Sequence, residues 1–311
     1  MPATEPDVRP ESPEGLLLVD KPSGPTSHDV VSRARRALDR RRVGHTGTLD
    51  PFATGLLLLL VGSPTRLAEY FHRLDKTYRA TLKLGEETET HDRTGEVLRA
   101  SDAWRGLDRR EMEEALTGFR GRLSQRPPAY SAKQVDGRRA HEAARRGERL
   151  ELEAEEVTVH ELELLRWTPP EAEVRAVVGT GTYLRSLARD VGRELEVGAH
   201  LVDLRRTRIG PFAVGDALSG EELEPGVELS PPHFLPPAEA VAWLPRRRIT
   251  REEQEAVGHG QRIERGEIRP GAGGEEPGEA DPVALTGEPG LVAVAELRAG
   301  ELQPRKVFHA A

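Results

Sequence analysis

The longest unbroken apolar run in this chain is Leu56 to Val61, set between Gly55 and Gly62. A membrane-spanning helix needs roughly 18 apolar residues or more. The run is therefore expected inside a folded core rather than a bilayer. It is too short and too uniformly apolar for its period to separate strand from helix. A second short run, Gly15 to Asp20, ends at Lys21-Pro-Ser-Gly-Pro25. It reads as a buried strand leaving into a Pro/Gly loop.

Thr26 and Ser27 are good caps for a helix reaching about Leu38, with Val30, Ala34 and Leu38 on one face. A loop from Gly44 to Thr54 follows. Tyr78 to Gly85 alternates as a strand, with Tyr78, Ala80, Leu82 and Leu84 on one side. Asp108 to Gly118 reads as a helix, and Val157 to Trp167 with Glu173 to Val178 as a strand pair. A helix capped by Thr182 is expected to reach about Leu195. Short helical pieces such as Pro237 to Trp243 interrupt a Pro- and Glu-rich stretch. From Arg246 the texture changes. A helix from Thr250 to Val257, an acidic loop from Pro270 to Pro282, and strands at Val283 to Leu285, Leu291 to Leu297 and up to Phe308 predict a small β-rich module.

The length, 311 residues, suits two domains at roughly 150 residues each. Met1 to Glu14 is rich in Pro and Glu, lacks a signal-peptide pattern and reads as a disordered tail. A soluble, cytoplasmic protein is expected. No cysteine is present, which removes thiolate nucleophiles, disulfides and cysteine-ligated metals. No HExxH, Walker A or G-x-S-x-G pattern occurs, which counts against zinc hydrolases, P-loop NTPases and α/β-hydrolases. With 45 Lys+Arg against 53 Asp+Glu the net charge is -8. A uniformly basic nucleic-acid binder is excluded; a local basic face is not. Only five of the basic residues are lysine (Lys21, Lys76, Lys83, Lys133, Lys306), so 40 of the 45 are arginine. Arginine's planar fork suits bidentate pairing with phosphate or carboxylate.

Three places could carry chemistry. In Gly44-His-Thr-Gly-Thr-Leu-Asp-Pro51, two close glycines permit unusual backbone angles and Pro51 stiffens the residue before it. A carboxylate on such a loop can serve as nucleophile or base; spacing alone fits Asp50 better as a turn or cap residue. Arg185 falls in the first turn of its helix, where a cation opposes the helix dipole. A carboxylate partner would explain it, and so would a plain surface position. Tyr78 on a strand reads as core or as catalytic.

Taken in order, these segments resemble the bacterial tRNA pseudouridine-55 synthases, the TruB type. The matching stretches are Leu17-Leu-Val-Asp-Lys-Pro-Ser-Gly24, Thr26-Ser-His28, Gly44-His-Thr-Gly-Thr-Leu-Asp-Pro51 with Ala53-Thr-Gly55, Lys76-Thr-Tyr78, Pro127-Pro-Ala-Tyr-Ser-Ala132, Gly181-Thr-Tyr-Leu-Arg185 and Gly198-Ala-His200 with Leu204-Arg-Arg206. The resemblance implies an α/β (α+β) pseudouridine-synthase core, residues 15–245, with a mixed, largely antiparallel sheet. It implies a small β-rich, PUA-like RNA-binding domain over 246–311, matched chiefly at Gly258-His-Gly-Gln261.

The implied reaction isomerises a T-loop uridine of tRNA, with no cofactor and no metal, in a monomer with no membrane attachment. By resemblance Asp50 is the catalytic aspartate, attacking either C1′ of the ribose or C6 of the base. Arg185 pairs with it, and Asp92 is a further acid near that arginine. Tyr78 stacks on the flipped base. His45 supports the vacated space, Tyr183 and Leu204 line the pocket, and Lys21 with Pro22 supports the site. An RNA-clamping insertion is implied at about 122–153. The window Arg120 to Arg149 holds nine basic residues against three acidic ones, and Arg138, Arg139, Arg145 and Arg146 are the expected phosphate contacts. Arg33, Arg35, Arg36 and Arg40 to Arg42 form a second basic strip. The alternatives are a guide-RNA-dependent rRNA pseudouridine synthase, a non-catalytic RNA-binding or RNA-folding protein, and an aspartate-nucleophile hydrolase. Asp50, Tyr78 and Arg185 together argue against lost activity, and the hydrolase lacks a second motif.

Overall fold

A computed structural model describes residues 13–130, 134–135, 138–139, 152–288 and 290–308. Its frame is an 11-stranded mixed sheet. Across it run Leu218–Ser219, Gly15–Lys21, Thr54–Val61, Ala199–Ile209, Lys76–Leu84, Glu171–Val178, Glu155–Thr168 and Gly121–Gln125. Three further short strands pair off this path. All pairings are antiparallel except Gly15–Lys21 with Leu218–Ser219 and Thr54–Val61 with Ala199–Ile209.

The strand Thr54–Val61 explains why its sequence does not alternate. Leu57, Leu59 and Val61 pack under the helix Ser27–Ala37 with Val30, Val31 and Ala34. Leu56, Leu58 and Leu60 pack on the opposite face against Tyr70, Phe71 and residues from the C-terminal part of the chain. Both faces are covered, so both are apolar. The strand Lys76–Leu84 does alternate, burying Lys76, Tyr78, Ala80, Leu82 and Leu84. These last four join a cluster beneath the helices Arg109–Gly118 and Leu184–Glu194.

A second sheet of five strands is built from Arg246–Arg248, Ile263–Glu264, Pro282–Gly287, Gly290–Arg298 and Glu301–Val307. It is not a loose appendage. Ala284, Leu291 and Val294 share a core with Leu16, Leu18, Leu58 and Phe71. Lys306 Nζ lies 2.9 Å from a Glu69 carboxylate oxygen, and Arg66 donates to the Val307 carbonyl at 2.7 Å. No helix among the described residues is long and apolar enough to cross a membrane.

Three expectations change. Glu14, which composition places in the tail, is seated: its carboxylate accepts from the Ser63 amide and hydroxyl. Residues 122–125, at the start of the expected basic insertion, belong to the edge strand Gly121–Gln125 of the main sheet, paired with Glu155–Val159. The basic strip on the first helix is largely used inside the molecule. Arg33 pairs with Glu224 and donates to the Leu223 and Glu221 carbonyls; Arg35 donates to Val43 O and Arg42 to Thr65 Oγ1. A count of positive residues says nothing about which donors are already taken by carbonyls.

Candidate active site

The loop between the strands Val43–His45 and Thr54–Val61 is clamped at nearly every residue. The Leu49 amide donates to Ser27 Oγ at 2.8 Å, and that hydroxyl donates to Leu49 O at 3.1 Å. Arg206 is 1% exposed and donates to Gly47 O at 3.1 Å, Thr48 O at 3.4 Å and Leu56 O at 2.7 Å. Lys21 Nζ donates to Pro22 O, Pro25 O and Pro51 O at 2.8, 2.8 and 3.2 Å. Ser23 Oγ donates to Phe52 O at 3.1 Å. These clamps grip backbone and leave the Asp50 carboxylate to Arg185.

Gly55 lets these parts meet. It sits at φ 104°, and a Cβ there would lie 2.2 Å from Arg206 O. Only glycine fits that conformation at that approach. The strand carrying Arg206 can therefore lie directly beside the loop.

Asp50 faces Arg185. Arg185 Nη2 donates to Asp50 Oδ1 at 3.0 Å. Arg185 Nε lies 2.9 Å from Oδ2, an ionic contact in which the N–H finds no hydrogen-bond acceptor. The Arg185 side chain is 5% exposed and that of Asp50 is 31% exposed. The carboxylate is thus reachable from solvent while its cation is not. Arg185 also donates to Thr90 O and Tyr130 O. This answers the question its place in the first helical turn raises: the carboxylate opposite offsets the adverse dipole. Burial raises the Asp50 pKa above the ordinary carboxylate value, against the pull of Arg185. Lys21 is pushed down to about 8, by burial first.

Asp92 stands behind the pair, with Oδ2 3.7 Å from Arg185 Nη1. Its other oxygen accepts from Thr90 Oγ1, Thr94 N and Thr94 Oγ1. Tyr78 is buried in the same cluster as Leu49, Phe52, Leu184 and Leu204. Leu204 sits opposite Ala80, two pairs along from Tyr78 and Arg206. His45 is half-buried, accepts from the Gly47 amide at Nδ1, and has its pKa lowered by burial and by Arg206.

The helix cap differs from expectation. Tyr183, not Thr182, is the N-cap, and no side chain of its own caps the helix. The buried Gln125 does that work: its Oε1 accepts from Tyr183 N at 2.8 Å and its Nε2 donates to Tyr183 O at 3.2 Å. Thr182 Oγ1 instead reaches Thr158 O. A cap supplied from a distant edge strand leaves no local sequence signal.

The structure thus brings Asp50, Arg185, Asp92, Lys21, Tyr78, Leu204, Tyr183 and His45 to one region. Arg138 and Arg139 form a two-residue strand opposite Gln134–Val135, with side chains outside the described residues; Arg145 and Arg146 lie outside them altogether. Sequence reading missed Ser27, Gln125 and the role of Arg206, although Ser27 and Arg206 stand within the motifs quoted. It also missed His91, at φ 59°, whose imidazole is pushed down to about 4 by burial and by Arg189 and Arg185. Its carbonyl accepts from Leu201 N, which fixes the turn presenting Asp92. Among the described residues no group of three or more His, Asp or Glu is arranged to hold a metal.

Residues 35–184 match the family model for the TruB family pseudouridylate synthase (N terminal domain), and residues 185–230 that for the tRNA pseudouridylate synthase B C-terminal domain. The tRNA pseudouridine synthase B of Synechococcus sp. (strain WH7803) is 44% identical over 307 residues, covering 96% of this chain and 99% of that protein. That of Thermobifida fusca (strain YX) is 43% identical, covering 95% and 98%. A solved H/ACA RNP bound to a substrate RNA containing 2'-deoxyuridine aligns at TM-score 0.72 and 25% identity, covering 99% of this chain and 92% of that one.

Proposed function

The chain belongs to the TruB family of pseudouridylate synthases, and we propose that it isomerises the T-loop uridine of tRNA with Asp50 as its nucleophile. The observation carrying this reading is the Asp50–Arg185 pair, with a reachable carboxylate held by a buried guanidinium. An opposite charge at that distance favours the ionised, nucleophilic form.

The reaction breaks the N1–C1′ bond, turns the uracil and forms a C5–C1′ bond. One proton leaves C5 and one arrives at N1. There is no net oxidation, so the balance calls for no cofactor. A carboxylate adduct, at C1′ or at C6, divides the exchange into two easier steps. The base has to leave its loop to reach Asp50, at a cost of a few kcal/mol. Stacking on Tyr78 returns about 1–3 kcal/mol, and His45 props the space left behind. Tyr183 and Leu204 shape the pocket wall.

RNA is held, in this reading, by Arg138, Arg139, Arg145 and Arg146 in the segment 122–153 and by the PUA-like module 246–311. The protein works as a monomer in the cytoplasm, where tRNA matures. The tRNA pseudouridine synthase B of Synechococcus matches at 44% identity and the H/ACA RNP at 25%, which favours the tRNA-directed reading.

The test is to incubate the purified chain alone with an unmodified tRNA transcript and map pseudouridine. A single T-loop product is expected. Conversion only when a guide RNA is added, or none at all, would refute the reading.

A further inference from the structure

Two lysines are buried near the site, and their surroundings differ. An ammonium has three donors. Lys21 directs its hydrogen bonds to three carbonyls. Lys76 is 8% exposed, and among the described residues its Nζ donates once, to His72 O at 2.7 Å. Two donors are left over. No carboxylate lies within ion-pair distance of it among the described residues; the adjacent Asp75 faces His160 at 3.2 Å.

The charge around Lys76 makes this costly. Burial first, and then Arg206 acting through space, push its pKa down to about 8 against the pull of Asp75. Arg206 cannot help as a partner, being a cation whose donors reach Gly47, Thr48 and Leu56 carbonyls. His72 is an exposed residue, its own pKa lowered by partial desolvation and by Lys76. On the paired strands the residues opposite Lys76 are Val178 and Ile209, both apolar. A buried charge is normally paired, and here the missing partner is an anion.

Its position says which anion. Lys76 and Tyr78 share one face of the same strand, about 7 Å apart along it. We propose that Lys76 is a phosphate-binding residue whose two spare N–H groups take an oxygen of the RNA backbone beside the nucleotide held against Tyr78. This rests on the reading that the chain acts on RNA. Arg206 adds positive potential there.

The test compares the unsubstituted chain with Lys76→Met and Lys76→Arg, using unmodified tRNA as the probe. Affinity is measured across salt concentrations, and proton uptake on binding is measured at pH 8 in buffers of different ionisation enthalpy. Lys76→Met is expected to weaken binding and to reduce the slope of log K against log salt by about 0.9, the contribution of one phosphate. Lys76→Arg is expected to restore the slope. The unsubstituted chain should take up about half a proton more than Lys76→Met as the lysine regains its charge; Lys21 titrates in the same range in both proteins, and His45 and His72 are already neutral at that pH. A Lys76→Met protein that melts normally yet keeps both slope and proton uptake would overturn the proposal. Should Lys76→Met melt much lower, the same two readings on Lys76→Gln decide it. If the unsubstituted chain neither binds nor converts tRNA, the functional reading falls and takes this one with it.

Discussion

Arg185 holds Asp50 at two points, Nη2 on Oδ1 at 3.0 Å and Nε beside Oδ2 at 2.9 Å, while Asp92 waits 3.7 Å behind. One buried cation thus serves two carboxylates, only one of them reachable from solvent. The arrangement makes the charge on Asp50 depend on a residue 135 positions away in sequence.

Replacing Asp50 with Ala should reduce pseudouridine formation to background while tRNA affinity stays within a few-fold. The loop is held through its backbone, so it keeps its shape without the carboxylate. Product mapping and a binding titration check this together. Substantial residual turnover would mean that another group is the nucleophile.

The pH profile should report the Asp50 environment. Burial raises its pKa and Arg185 is the largest opposing influence, so the acid limb of kcat/KM should lie above the ordinary carboxylate range. In Arg185→Gln the limb should move to still higher pH, and stability should fall by roughly 1–3 kcal/mol as the carboxylates lose their partner. An unmoved limb would show that Arg185 does not set this charge.

Lys21 should leave a signature in alkaline stability. Its pKa is about 8 in the folded chain against 10.5 for an ordinary lysine. Between those values the unfolded chain binds more protons, so Lys21's contribution to stability rises with pH across that window, by at most about 1.4 kcal/mol per unit. Denaturant titrations of Lys21→Met should lack this rise relative to the unsubstituted chain. Its three stranded carbonyls should also lower stability at neutral pH.

Gln125→Ala should cost about 1–3 kcal/mol by stranding the Tyr183 amide, while Tyr183 O keeps the Leu187 amide. Activity should fall with it, because the helix that starts there carries Arg185. Thr182→Ala should do much less. Paired melting curves and kcat/KM values distinguish the two sites.

Arg33 separates charge that is counted from charge that is available. With Arg33 committed to Glu224 and two carbonyls, Arg33→Gln should leave the salt dependence of tRNA binding unchanged. Neutralising Arg138, Arg139, Arg145 and Arg146 together should flatten it. Equal slopes for both variants would remove the RNA-clamping role from the second group.

Local order was readable because its causes are local. Thr26 with Asp29, Asp108 with Glu111 and Thr250 with Glu253 each form a capping box within four residues, and such pairs announce a helix in any context. The alternation from Tyr78 to Leu84 likewise records one covered face. The run Leu56 to Val61 shows the limit. It became a strand because two layers cover its two faces, and neither layer is encoded in those residues.

The sequence by itself determined the short elements, the rigid loop around Asp50 and, through resemblance, the family and the residues expected to meet. The tertiary structure alone decided which charges are in use. It seats Arg206 under the loop, gives Arg185 its carboxylate, caps a helix with Gln125 and leaves Lys76 with spare donors. These outcomes depend on which backbone carbonyls come within hydrogen-bond reach across strands distant in sequence. That proximity is set by packing of the whole sheet, and no residue type or spacing encodes it.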